Sequence, residues 1–131
     1  MDIKIFANNP EAIYLQIVKQ VKSLVESGRL PSGAELPSIR VLAQQLDVNP
    51  NTVARAYREL VTAGIATPRR TAGIYVAEKG VEQARGEINK DLNQWLDTLL
   101  DKAQHHNVGT EQLIQMLLER AKARQGRQGE D

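Results

Sequence analysis

Apolar residues recur along most of this chain at the three- and four-residue spacing of a helix face, with polar residues gathered on the opposite side. Ile13, Ile17, Val21, Leu24 and Val25 form the first such stripe, leaving Gln16, Lys19, Gln20 and Lys22 on its outer side. Asn9-Pro10-Glu11 ahead of it reads as a helix start. Asparagine caps free amides, proline has no amide to lose in the first turn, and glutamate complements the helix dipole. Gly28 marks the end. From Ser27 to Pro37 two glycines and two prolines fall in eleven positions, which denies that stretch regular helix and predicts a connecting loop. Ser38 then caps a short second helix with Ile39, Leu42, Ala43 and Leu46 inward and Arg40 and Gln44 outward. Asp47-Val48 breaks it, and Asn49-Pro50 opens a third helix that runs to about Gly64.

Two short helices across a tight turn make a helix-turn-helix. In the third helix Val53, Ala56, Tyr57 and Leu60 share one side, while Asn51, Arg55, Arg58 and Thr62 share the other. The segment Ile65 to Val76 holds two short β-prone pieces around the basic tip Arg69-Arg70, the profile of a hairpin or wing. Helical spacing returns from Glu78 with Val81, Ile88, Leu92, Trp95, Leu96, Leu99, Leu100 and Ala103. It breaks at His105 to Gly109 and resumes from Thr110 with Leu113, Ile114, Leu117, Leu118 and Ala121. Residues 124–131 are polar, contain two glycines and are expected to fray. The fold expected is mainly α with a small β-hairpin: a winged helix-turn-helix domain over residues 1–77 and a two-helix tail over residues 78–131.

Composition narrows the chemistry. The 131 residues include no cysteine and two histidines, which removes disulfides, thiol nucleophiles and zinc ribbons, and no metal or cofactor is expected. His105 and His106 are neighbours that point about 100 degrees apart on a helix, so a helix-end role is preferred to metal ligation. The N-terminus lacks the basic and apolar regions of a signal peptide and no run is long enough for a membrane span, so a cytoplasmic location is expected. No nucleophile with a base, no paired catalytic carboxylates and no phosphate-cradling glycine loop occur, which argues against an enzyme. The net charge of +1 hides an asymmetry. Residues 1–80 carry 10 basic and 7 acidic groups, whereas residues 81–131 carry 7 and 9. Between Arg29 and Arg70 every basic residue is arginine, whose planar fork matches phosphates and guanine edges.

A helix whose exposed N-terminal side chains are Asn51, Thr52 and Arg55 suits a major groove, since amide and hydroxyl groups read base edges and the helix N-terminus favours phosphate. Arg40 on the preceding helix and Arg69-Arg70 on the hairpin would add two positive elements against the same duplex. The segments Tyr14-Leu15-Gln16-Ile17, Gly28-Arg29-Leu30-Pro31-Ser32-Gly33, Leu36-Pro37-Ser38-Ile39-Arg40-Val41-Leu42-Ala43 and Val48 to Leu60 resemble, in order, the winged helix-turn-helix domain of GntR-family transcriptional regulators. The short tail resembles that of the YtrA-like subfamily, which implies two C-terminal helices serving dimerisation. Groove contacts implied by the resemblance fall on Arg40, Asn49, Asn51 and Thr52, and on the wing tip Arg70-Thr71. It further implies a homodimer on an inverted-repeat operator in double-stranded DNA, with repression as the commoner mode, and assigns no small-molecule effector. Two positions depart from the family pattern. The wing tip reads Arg70-Thr71-Ala72-Gly73, without the glycine many relatives have at Thr71, so Gly73 is its remaining glycine. Pro50 and Ala54 stand where some relatives place basic residues, which shifts weight to Arg55, with Arg58 further along the same face.

In the tail, Leu92, Trp95, Leu96, Leu99, Leu113 and Leu117 exceed what two short helices can hide, so they are assigned to a dimer interface rather than a ligand pocket. An RNA-binding module would expose stacking aromatics, yet Tyr57 falls on the buried side of its helix. A protein adaptor would not need Arg40, Asn51, Arg55 and Arg70 on one surface.

Overall fold

The computed structural model describes residues 1–69 and 73–128. Its elements run α1 (Ile13–Glu26), α2 (Ile39–Leu46), α3 (Pro50–Thr62), β1 (Ala66–Pro68), β2 (Ile74–Val76), α4 (Gly80–His105) and α5 (Thr110–Gln128). They fall into two compact units, residues 1–89 and 90–131.

In the first unit, Ile17, Val18, Val21 and Val25 of α1 meet Val53, Ala56, Tyr57 and Leu60 of α3, with Leu42 and Ala43 of α2 closing one side. The helix-turn-helix is capped as its sequence dictates. Ser38 Oγ accepts the Val41 amide at 3.1 Å and Asn49 Oδ1 accepts the Asn51 amide at 2.8 Å, with Pro50 in the first turn of α3. Tyr57 donates its hydroxyl to the Pro37 carbonyl at 2.7 Å, which ties α3 to the loop before α2.

The start of α1 differs from the sequence expectation. The helix begins at Ile13, and Ala12 at its cap makes no side-chain bond. Asn9 Oδ1 instead accepts the Glu11 amide at 2.9 Å in a local turn. Gln16, expected outside, is buried. The physical reason is the segment before the helix, where Ile3 joins the core and the backbone of residues 4–6 needs partners. Gln16 accepts the Phe6 amide at 2.8 Å and donates back to the Phe6 carbonyl at 3.2 Å, while Gln20, one turn on, does the same for Lys4 at 2.9 and 2.6 Å. Two glutamine side chains thus act as a surrogate strand edge for an extended arm.

The hairpin pairs Ala66 with Val76, Thr67 with Tyr75 and Pro68 with Ile74. Its other edge is covered by part of the expected loop. The Leu36 amide donates to the Ile74 carbonyl at 2.8 Å, and the Val76 amide to the Ala34 carbonyl at 2.8 Å, around an isolated bridge between Glu35 and Tyr75. The glycines and prolines that exclude helix here do not exclude three extended residues. After β2 the chain turns so tightly into α4 that a Cβ on Gly80 would lie 2.8 Å from the Ile65 carbonyl oxygen, so only glycine fits without displacing the strand. Ala84 is fully buried and Val81 packs on the same core. Weak ion pairs join α4 to α1, Lys22 to Glu87 at 3.8 Å and Arg85 to Glu26 at 3.6 Å. The first unit therefore reaches Asn89, beyond the expected boundary at residue 77, because the first turns of α4 complete its core.

The second unit contains the rest of α4 and all of α5. Between residues 89 and 126 only Ala103 is buried, and only Val108 and Leu113 are partly so. These three sit at the turn between the helices. His105 ends α4 with its Nδ1 2.8 Å from the Asp101 carbonyl, and Asn107 takes a left-handed conformation at φ 57° before α5 opens. Helix α5 continues to Gln128, past the fraying expected from Arg124, in keeping with the helix propensity of its arginine and glutamine residues. Among the described residues no helix is long and apolar enough to cross a membrane.

Candidate nucleic-acid interface

Helix α3 separates its faces cleanly. Val53, Ala56, Tyr57 and Leu60 are at most 2% exposed, whereas Asn51, Arg55, Arg58 and Glu59 are exposed. Asn51, Arg55 and Arg58 follow one another at four and three residues, so they line one ridge opposite the buried face of α3. Thr52 is partly covered in the N-terminal turn, where its amide donates to the Asn49 carbonyl at 2.9 Å. Asn49 is exposed, but its side-chain oxygen is committed to the cap, leaving the amide group as its free end. Burial drives the phenol of Tyr57 far above its ordinary range, so this residue is a neutral anchor of α3 in the core.

Arg55 does not extend freely into solvent. Its guanidinium carbon lies 3.9 Å from the centre of the Tyr14 ring, and its Nη2 donates to the Tyr14 hydroxyl at 3.3 Å. Arg69, at the end of β1, lies 4.4 Å over the Tyr75 ring of β2. Arg40, exposed in the first turn of α2, and Arg58 have no ion-pair partner among the described residues. Gly73 takes φ +90°, a left-handed conformation that favours glycine, and a Cβ there would push aside the flexible end of Glu35, whose Oε1 would lie 2.8 Å away. The expected wing contacts Arg70 and Thr71 lie outside the described residues. Every remaining expected contact belongs to the first unit, on α2, the turn to α3, α3 itself or the hairpin.

Sequence reasoning missed the two tyrosine platforms. Tyr14 and Arg55 are 41 positions apart, and no local periodicity couples them. An arginine on the polar face of α3 and an unassigned aromatic at the start of α1 were the only signals available. Among the described residues no cluster of three or more histidine, aspartate or glutamate side chains is placed to hold a metal. The expected interface positions of the tail are laid open: Trp95 is 68% exposed, and Leu92, Leu96, Leu99 and Leu117 are exposed as well, while Leu113 is partly covered at the turn.

Known proteins match this arrangement. The family model described as bacterial regulatory proteins, gntR family, matches residues 13–76. The HTH-type transcriptional repressor YtrA of Bacillus subtilis is 36% identical over 121 residues, which span 89% of this chain and 90% of that protein. Among solved structures, a GntR family transcriptional regulator from Listeria monocytogenes aligns with a TM-score of 0.71 at 30% identity, over 86% of this chain and 97% of its own. YtrA from Sulfolobus acidocaldarius, a GntR-family transcription factor, aligns with a TM-score of 0.55 at 37% identity, over 70% of this chain and 97% of its own.

Proposed function

We propose, because the chain belongs to the GntR family of bacterial regulatory proteins, that it is a cytoplasmic repressor that binds an inverted-repeat operator as a homodimer. Membership makes it a transcriptional regulator with a DNA-binding domain, and neither the family nor these relatives are enzymes. The finer reading is supported above all by the two-faced α3. One face is locked into the core by Val53, Ala56, Tyr57 and Leu60, and the other offers Asn51, Arg55 and Arg58. In this reading the N-terminal turn of α3, with Asn51 and Thr52, enters a major groove, Arg58 meets phosphate further along, and Arg40 and the hairpin around Arg69 flank the groove. Repression is carried over from the Bacillus subtilis relative, a transcriptional repressor. Two copies joined through Leu92, Trp95, Leu96, Leu99, Leu113 and Leu117 would present two α3 helices to one duplex, which calls for half-sites about one helical turn or a multiple apart.

The test begins with full-length protein and a randomised duplex pool. A sequence enriched from the pool is expected to contain an inverted repeat and to bind far more tightly than a scrambled duplex at the same salt concentration. Inserting about five base pairs between the half-sites should abolish tight binding by turning one half-site to the opposite side of the duplex. Equal affinity for enriched and scrambled DNA overturns the sequence-specific reading, and a monomer in sedimentation at micromolar concentration overturns the dimer.

A further inference from the structure

We propose that Tyr14, on the first helix and outside the helix-turn-helix, is a specificity-determining positioning residue: it holds Arg55 of α3 in one pose before DNA arrives. The proposal rests on the reading of α3 as the groove helix. Two contacts define the pose, the guanidinium stacked 3.9 Å from the Tyr14 ring centre and the 3.3 Å hydrogen bond from Nη2 to the Tyr14 hydroxyl. Stacking occupies the flat face of the guanidinium and leaves its edge, where most of the N–H donors lie, directed outward. That edge is what pairs with the O6 and N7 of a guanine or with two phosphate oxygens. Apart from the one Nη2 donor given to the Tyr14 hydroxyl, the chemistry that holds Arg55 and the chemistry that reads DNA use different parts of one group.

The energetic consequence is preorganisation. A free arginine loses rotamer freedom when it docks, whereas Arg55 has already lost it on folding. For one ordered side chain this advantage corresponds to roughly a two- to ten-fold tighter complex. Tyr14 is itself fixed from both sides. Its helix packs on α3 through Ile17 and Val21, and the arm ahead of it is pinned by Gln16 through Phe6 and Glu11. Asn51 lies one turn before Arg55 on the same ridge, so a guanidinium held by Tyr14 reads a position adjacent to that of Asn51. Arg58, one turn further along, touches no aromatic ring among the described residues, and it serves as the internal control.

The experiment compares full-length wild type, Tyr14→Phe, Tyr14→Ala, Arg55→Ala and the Tyr14→Ala/Arg55→Ala double variant by selection from a randomised duplex pool and by titration with the duplex enriched by wild type. Tyr14→Ala is expected to weaken the enriched duplex about five-fold, to leave scrambled DNA within about two-fold, and to flatten base preference at the position that Arg55→Ala flattens. Tyr14→Phe, which keeps the ring and loses the hydroxyl, should retain most of the preference. In the Arg55→Ala background, Tyr14→Ala should add nothing. In the free protein, the NMR resonances of the Arg55 side chain should carry a ring-current shift that Tyr14→Ala removes and Tyr14→Phe keeps. A uniform loss on both DNAs, or an equal loss in the Arg55→Ala background, overturns the proposal by making Tyr14 merely structural. An intact ring-current shift with no effect of Arg55→Ala on binding overturns the specificity role through Arg55. Failure of the wild type to enrich any sequence instead overturns the reading of α3 on which the proposal rests.

Discussion

Leu60 and Trp95 both sit on helical apolar stripes, yet the first is fully buried in the first unit and the second is 68% exposed in the second. A stripe at helical spacing says that a face must be covered without saying by what. In residues 1–89 the cover is within the chain, since α1, α2, α3, the hairpin and the start of α4 close around one core. In residues 90–131 the helices offer Leu92, Trp95, Leu96 and Leu99, and then Ile114, Leu117 and Leu118, to solvent. Covering a large apolar side chain completely is worth about 1.5–3 kcal/mol, so the first four from each of two copies, already about half covered, would contribute roughly 6–12 kcal/mol. Association itself costs about 4–15 kcal/mol, so those four only break even, and a stable dimer needs the α5 residues as well. The first unit is held by its own packing, whereas the second is proposed to be completed by a second copy.

That contrast breaks most visibly at its two ends. Leu60→Ala should destabilise the first unit by about 2–5 kcal/mol, read as a lower denaturation midpoint both in the full chain and in a fragment ending at Asn89. A fragment cut after Lys79 lacks Val81 and Ala84, and should unfold at a lower midpoint than the one ending at Asn89. Trp95→Ala should do the reverse, leaving the midpoint of the first unit in place and weakening self-association by at least about 2 kcal/mol, near thirty-fold in a sedimentation titration. Unchanged association for Trp95→Ala would remove the indole from the interface.

The two units also differ in how far their sequence could be read. The starts of α2 and α3 were legible to the residue because Ser38 and Asn49-Pro50 are local signals whose partners lie two or three positions away. The start of α1 was not. Asn9-Pro10 carries the same signal as Asn49-Pro50, but Gln16 and Gln20 draw the preceding segment onto α1, and that tertiary demand sets the start at Ile13. The buried Gln16 was hidden for the same reason, since a glutamine flanked by lysine and glutamine reads as a solvated face. The bridge of Glu35 to the hairpin edge is too short for alternation to show, and the Tyr14 platform joins residues with no sequence relation. In the tail the reverse holds: the helices and the turn at His105 to Gly109 follow the pattern, but the pattern is silent on what faces Leu92 and Trp95.

Within the first unit, the comparison sharpens between the ridge and the core of α3. Asn51→Ala should cost about 1–3 kcal/mol on the enriched duplex and much less on random DNA, measured at one salt concentration. Arg58→Ala should weaken both duplexes similarly and reduce the slope of log affinity against log salt by roughly one unit. Equal loss on both duplexes for Asn51→Ala would remove α3 from the role of sequence reader while leaving its packing role untouched.

The smallest effect expected lies on the core side, at Tyr57. Its hydroxyl donates to the Pro37 carbonyl at 2.7 Å from a side chain that is 2% exposed. Tyr57→Phe keeps the ring in place and leaves that carbonyl without its donor, so a loss of about 1 kcal/mol is expected near neutral pH. The same burial makes the difference depend on pH. Removing the proton would place an anion in the core and lose the donor, so the folded state holds the phenol proton to a pH well above that of an unfolded tyrosine. Below about pH 10 both states carry the proton and the stability contribution is fully present. Above it the unfolded chain releases the proton while the folded chain keeps it, so stability falls as pH rises, by up to about 1.4 kcal/mol per pH unit. Tyr57→Phe should lack this increment of alkaline destabilisation, so the stability difference between wild type and variant should narrow as pH rises beyond 10. Denaturant titrations at neutral and alkaline pH measure that difference directly, and a constant gap would mean that Tyr57 loses its proton equally easily in both states.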